Sequence, residues 1–190
     1  MDISVLNIRK SYGETKVFEN FSANFRYGNT YAIMGESGIG KTTLLRLIVG
    51  LEKVDSGLIE FDNKIRFSYL FQENRLCEHL TAAENIMFTN PKLTKDQVEK
   101  ELLKVGFVSD DLNKPVSNFS GGMKRRVALL RAVLYESDVL LMDEPLTGLD
   151  ENTSDLVTDY IIQNKGIRTL IVVTHSPALA TKIGAEIISV

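Results

Sequence analysis

The sequence predicts an α/β fold: a parallel sheet covered by helices, with an N-terminal antiparallel β subdomain and an inserted helical subdomain. Three observations predict it. Short β-like runs, Ile3 to Ile8, Phe18 to Phe25 and Thr30 to Met34, crowd the start of the chain. Between about residues 75 and 118 that texture gives way to helical spacing. Beyond Ser120, helices and apolar strands alternate, as they do where crossover helices join parallel strands.

Taken in order, the run ending at Met34 meets a glycine, and a helix follows from Lys41 to Val49 with Gly50 as its stop. Two more strands, around Leu58 to Phe61 and Ile65 to Phe71, are joined by the turn-prone Asp62-Asn63-Lys64. Thr94-Lys95-Asp96-Gln97 reads as a capping box, since Gln97 stands three places after a threonine N-cap. Val98, Leu102 and Val105 recur at helical spacing behind it, and Gly106 can close that helix. After Ser120 come a helix, a strand at Val139 to Met142, a helix over about Glu151 to Gln163, and a strand at Thr169 to Val173. A further helix and a strand at Glu186 to Val190 follow. The expectation is one domain over residues 1–190, with its helical subdomain at approximately 75–118.

Composition narrows the function. A chain of 190 residues with 44% apolar and 25% charged residues can bury a core beneath an ordinary polar surface. A net charge of −3 gives no global attraction to nucleic acid or an anionic membrane, and no nucleic-acid partner is expected. The lone Cys77 cannot form an internal disulfide, which fits a reducing compartment, the cytosol. The N-terminus has no basic stretch before an apolar run, so no signal peptide is expected. No segment approaches the roughly 18 consecutive apolar residues of a membrane helix. Any membrane part of its process must come from another chain.

The sharpest local pattern is Gly35-Glu36-Ser37-Gly38-Ile39-Gly40-Lys41-Thr42, a glycine, four residues, then Gly-Lys-Thr. It matches the P-loop, and Thr43 continues it into the helix. Glycines let successive backbone N–H groups turn inward around phosphate oxygens, where a side chain would clash. The helix beginning near Lys41 offers unpaired N–H groups and a positive dipole end to the same anion. Lys41 is placed to reach the β- and γ-phosphates of ATP, and the Thr42 hydroxyl to bind Mg²⁺. By average usage the pattern arises by chance in roughly 1% of chains this long. A strand before it and a helix after it make a P-loop NTPase core the expectation.

Val139-Leu140-Leu141-Met142-Asp143-Glu144 is an apolar strand ending in two carboxylates. In a parallel sheet that end faces the ligand crevice beside the P-loop. Asp143 can then hold Mg²⁺ through its water shell, and Glu144 can orient and deprotonate an attacking water. The bland alternative is a solvated acidic pair at a strand end. Successive strand residues point opposite ways, so both line the site only if the chain leaves the strand here.

Ser120-Gly121-Gly122-Met123-Lys124 narrows the class, because it resembles the signature motif of ABC (ATP-binding cassette) ATPases. Ser120 can cap the helix that follows, and two glycines expose N–H groups at its positive end. The resemblance implies that this motif reaches across a head-to-tail dimer and closes on the γ-phosphate held by the partner's P-loop. Neither of the two sites would be complete in a monomer. Tyr12 resembles the aromatic that stacks on adenine, although it could be a plain strand aromatic. Gln72 resembles the Q-loop glutamine, which senses Mg²⁺ and the attacking water while touching the transmembrane partner. Leu149-Asp150 matches the D-loop, and His175 the switch histidine that contacts the γ-phosphate. The resemblance runs from Tyr12 to His175. It leaves His79 and Cys77 without a role, and Lys124-Arg125-Arg126 reads as a solvated helix face.

The chain departs from the family pattern in places. Phe119 stands where leucine is usual and Met123 where glutamine is common, and importer-type members often carry the methionine. The segment from Lys41 to Gln72 is shorter than usual, as if a loop of the β subdomain were trimmed. Val190 falls on the last core strand, so a minimal cassette without a fused regulatory domain is expected.

The resemblance implies a transporter ATPase, cytoplasmic and peripheral on the inner face of the cell membrane. It would pair with a second ATPase subunit, identical or closely related, and with integral membrane subunits. A soluble ABC ATPase of translation or DNA repair is one alternative, though those relatives usually carry two cassettes or a long coiled-coil insertion. An exporter ATPase is another. A binding module without hydrolysis is disfavoured by Lys41, Asp143, Glu144 and His175 together. Gln72 to Leu76, Leu80-Thr81 and Glu84-Asn85 are similar to the segment after the Q-loop in importers of the nitrate, sulfonate and taurine group.

Overall fold

The computed structural model describes all 190 residues, Met1 to Val190. Strand β1 (Ile3–Tyr12) turns through Gly13, at φ 59°, into β2 (Thr15–Phe25). Both outrun the apolar runs that predict them, because cross-strand pairing continues to Tyr12 opposite Thr15. Strand β3 (Thr30–Met34) leads through the glycine loop into helix α1 (Lys41–Ile48). Gly50, at φ 74°, follows the end of α1 in the left-handed conformation expected of a helix stop.

Strands β4 (Ser56–Glu60) and β5 (Phe67–Leu70) are neighbours in sequence but belong to different sheets. β4 pairs antiparallel with β1, completing a three-stranded sheet in the order β2-β1-β4. β5 instead pairs parallel with β6 (Val139–Asp143). The Asp62-Asn63-Lys64 turn is present, with the Lys64 N–H donating to Asp62 Oδ1, but it links two layers rather than closing a hairpin. The parallel sheet is completed by β7 (Thr169–Val173) and β8 (Glu186–Ser189), in the order β5-β6-β7-β3-β8.

The middle of the chain holds α2 (Ala82–Met87) and α3 (Lys95–Lys104), followed by two single turns of 3₁₀ helix at Ser109–Asp111 and Val116–Asn118. The Thr94/Gln97 capping box forms in full. A second one, Thr81 with Glu84, starts α2, which the sequence reading did not single out as a helix. Both pack against α4 (Gly121–Leu134). Helices α5 (Glu151–Asn164) and α6 (Pro177–Lys182) supply the remaining crossovers.

The core divides along the parallel sheet. Leu140, Met142, Leu170 and Val172 point to one face, among α2 to α5. Val139, Leu141, Ile171 and Val173 point to the other, among α1 and the antiparallel sheet. Residues of β6 and β7 are buried on both faces, as parallel strands covered on two sides must be. Deleting one such leucine to alanine costs about 2–5 kcal/mol, so this double layer fixes the strand ends that carry the site.

Candidate nucleotide-binding site

The carboxyl ends of β3, β5, β6 and β7 open on one cleft of about 260 Å³. Its walls include Ser37, Gly38, Gly40, Lys41, Thr42 and Thr43 from the glycine loop and α1, with Gln72, Asp143, Glu144 and His175 from the strand ends. Eleven residues line it and one is hydrophobic, so it suits a polar, charged ligand.

The loop's shape depends on Gly40, at φ 119°, where a Cβ would fall 2.4 Å from Val17 Cγ1. No side chain caps α1, so its first N–H groups stay available to an anion. Lys41 is buried, and its ammonium donates to Gly35 O at 2.9 Å and Glu36 O at 2.7 Å, folding back over the loop. Glu36 is exposed and Ile39 packs beside Gly35, both outside the cleft wall.

The Thr42 hydroxyl donates to Asp143 Oδ2 at 2.7 Å, while Asp143 Oδ1 is buried without a partner. Burial raises the Asp143 carboxyl above its ordinary pKa, and the Thr42 hydrogen bond opposes that shift. A hydroxyl and a carboxylate, both hard oxygen donors, suit Mg²⁺, which keeps several waters and takes one or two protein ligands. The unpartnered Oδ1 is the observation that fits a cation there.

Glu144 adopts φ 49°, a left-handed conformation rare outside glycine. That kink is how two successive residues both reach the cleft: Asp143 ends the strand and Glu144 turns off it. Its N–H donates to Val173 O at 3.0 Å, and its carbonyl accepts from Thr147 N at 3.2 Å, which pins the kink on two sides. His175 Nε2 lies 3.4 Å from Glu144 Oε1, within ion-pair range but outside hydrogen-bond geometry. Burial raises the Glu144 carboxyl above its usual pKa, and the neighbouring His175 opposes that shift.

Other expected site residues lie outside this cleft. Tyr12, half exposed, donates its hydroxyl to Glu52 and carries Lys10 Nζ 5.0 Å from its ring centroid. Ser120 accepts from Met123 N at 3.2 Å as the N-cap of α4, and both it and Gly121 are exposed. A Cβ on Gly121 would meet nothing within 4 Å, whereas one on Gly122 would fall 3.1 Å from Gly148 O. Asp150 caps α5 through Thr153 N at 2.9 Å, and that bond holds its carboxyl below the usual range.

The Lys124-Arg125-Arg126 run is not a solvated face. Arg125 is 3% exposed, Arg126 donates to Val105 O at 2.7 Å over the Phe107 ring, and Lys124 pairs with Glu78. Of the three, Arg125 lies on the inner side of α4, where carbonyls leaving β5 and β6 need donors. Arg131 likewise donates to Asn74 O and Arg75 O, and the buried Asn85 amide fastens Cys77, Leu80 and Thr81. These residues shape the segment after Gln72. A polar residue on an otherwise apolar helical face, as Arg125 is with Ala128 and Leu129 three and four places on, is the signal that could have found them.

A family model described as ABC transporter matches residues 18–147. The spermidine/putrescine import ATP-binding protein PotA of Thermotoga maritima is 36% identical over 98% of this chain, which spans 55% of that relative. The aliphatic sulfonates import ATP-binding protein SsuB 2 of Agrobacterium fabrum is 35% identical, over 98% of this chain and 74% of that one. The chain thus spans about half the length of several curated relatives it matches. Among solved structures, a dimeric post-hydrolysis state of the ATP-binding cassette MJ0796 bound to ADP and Pi superposes with a TM-score of 0.84. It is 26% identical, covering 99% of this chain and 94% of that one. A family model matched over most of the chain, and relatives at about a third identity along nearly all of it, show that the chain belongs to the ABC transporter family.

Proposed function

We propose that the chain binds and hydrolyses ATP with Mg²⁺ and drives the import of a small solute through separate membrane subunits. The observation that carries this reading is the cleft itself, where Lys41, Thr42, Gln72, Asp143, Glu144 and His175 converge on one polar space. Relatives named as import ATP-binding proteins support the direction of transport.

Each residue has a distinct task. The loop N–H groups from Ser37 to Thr43 and the Lys41 ammonium bind the phosphates, Lys41 exchanging its two loop carbonyls for phosphate oxygens. Thr42, Asp143 and Gln72 would hold Mg²⁺, which neutralises charge on the phosphates when bound. Glu144, its pKa raised by burial, takes the proton from water, and His175 beside it steadies the γ-phosphate and the Glu144 charge. Tyr12 would stack on the adenine through its exposed ring.

Ser120 and Gly121 are exposed outside this cleft, and the open space around Gly121 leaves room for a ligand brought by a second copy. We read this as a head-to-tail pair in which each α4 start covers the other copy's phosphates. Residues 1–190 form a single nucleotide-binding domain, with 75–118 as its helical subdomain. It works at the cytoplasmic face of the membrane, against the integral subunits.

Phosphate release from the purified chain, measured across a range of protein concentrations, tests the reading. The expected rate per chain rises with concentration, and membrane pull-down recovers an integral subunit. A rate per chain independent of concentration, or a ribosomal or DNA-bound partner instead, would overturn it.

A further inference from the structure

Arg125 stands out among the charged groups that the reading above leaves unused. It is 3% exposed, in the second turn of the helix that Ser120 starts. All its hydrogen bonds go to carbonyl oxygens, and none goes to a carboxylate. Nη1 donates to Phe71 O at 2.7 Å, Gln72 O at 3.2 Å and Asn74 Oδ1 at 3.3 Å. Nη2 donates to Asp143 O at 2.5 Å and Glu144 O at 2.8 Å, and Nε to Pro145 O at 3.2 Å. A guanidinium has five N–H donors in a rigid planar fork, so one group reaches all six acceptors with Nη1 sharing its two N–H groups among three.

Three of those acceptors belong to residues of the cleft, Gln72, Asp143 and Glu144, and the first and last have the least else to hold them. Glu144 sits at φ 49°, a conformation that persists only when its surroundings over-determine it. Gln72 follows the β5 edge strand and is exposed, so nothing but its backbone anchors fixes where it reaches. Arg125 grips both backbones at once, from a helix whose first residues face outward.

We propose that Arg125 is a positioning residue: its guanidinium locks the Gln72 and Glu144 backbones to helix α4, so that a shift of that helix reaches both groups together. The inference rests on the hydrolytic reading above, because it assigns Arg125 a part in hydrolysis and not in nucleotide affinity.

The test uses Arg125→Lys and Arg125→Met in the full chain. With either variant, affinity for ADP in the absence of Mg²⁺ should stay within about threefold, because Lys41 and the loop N–H groups are untouched. The rate at saturating ATP should fall by roughly 30-fold or more, with Lys recovering part of the loss. In a Gln72→Ala background the same substitutions should cost less than they do in the parent chain but still lower the rate through Glu144, since only one of the two groups being positioned is already gone. A normal rate in Arg125→Lys, losses that multiply fully, or affinity for ADP without Mg²⁺ falling in step with the rate would overturn the proposal.

Hydrogen exchange in the nucleotide-free chain provides a readout that needs no turnover. Amides of 71–75 and 144–147 should both exchange roughly tenfold faster in Arg125→Lys, while those of 36–43 stay unchanged. Exchange that rises in one segment only, in neither, or throughout the chain would sink it. If Arg125→Met does not fold, Arg125→Lys alone decides. If the parent chain releases no more phosphate than Glu144→Gln, the hydrolytic reading fails, and the exchange result still judges the strut.

Discussion

The Thr42 hydroxyl donates a 2.7 Å hydrogen bond to Asp143, joining the first turn of α1 to the end of β6 across 101 positions. Asn at 143 could still accept that bond but would bring no charge. Asp143→Asn should therefore reduce the gain in ATP affinity that Mg²⁺ provides by about tenfold or more. Titration of a fluorescent ATP analogue with and without Mg²⁺ measures it, and an unchanged Mg²⁺ effect would reassign the ligand.

Glu144→Gln keeps the size of the side chain and removes the base. Nucleotide binding should persist while the rate falls by about 10²- to 10⁴-fold, leaving a long-lived closed pair. Size-exclusion chromatography with ATP reads the pair, and phosphate release reads the rate. A variant that turns over normally would move the base elsewhere.

Lys41→Ala removes a buried ammonium that ties down Gly35 O and Glu36 O. Losing a charged hydrogen-bonding partner of phosphate costs about 1.5–3 kcal/mol, so ATP affinity should fall roughly ten- to hundredfold. Calorimetric binding tests this, and affinity equal to the parent's would remove Lys41 from the phosphate site.

Ser120→Arg places a long cation at the open helix start without disturbing the cleft in its own chain. Binding of ATP to the variant at low protein concentration should match the parent within about threefold. Its turnover should be lost, yet a mixture with Lys41→Ala should regain one working site per pair. Mixtures with no recovered activity would count against the head-to-tail arrangement.

Thr94→Ala breaks the capping box at the start of α3, far from the cleft. It should destabilise the chain by about 1 kcal/mol. For a chain of this size that lowers Tm by about 2–4 °C. Nucleotide affinity should be unaffected; a thermal melt and one binding curve suffice to check both.

What could be read from the sequence were features whose cause is local. The glycine loop, the Thr94 cap, Ser120 as N-cap and the strands at 30–34 and 169–173 depend on short stretches, and all of them form. Periodicity could not tell which sheet β5 would join, because that depends on β6, about seventy residues later. The burial of Arg125 was misread for the same reason: charge in a run looks solvated until the carbonyls of two distant strand ends are seen to surround it. The sequence also left open how adjacent carboxylates could share a site, and the left-handed Glu144 backbone is the answer.

The sheet is a party wall between two packed rooms, since alternate residues of β6 and β7 serve opposite sides. Substitutions among the helices on one side can reshape what docks there without reaching the back of the phosphate cradle. The two rooms also meet at the wall's open end, where one guanidinium is bonded to the loops after β5 and β6.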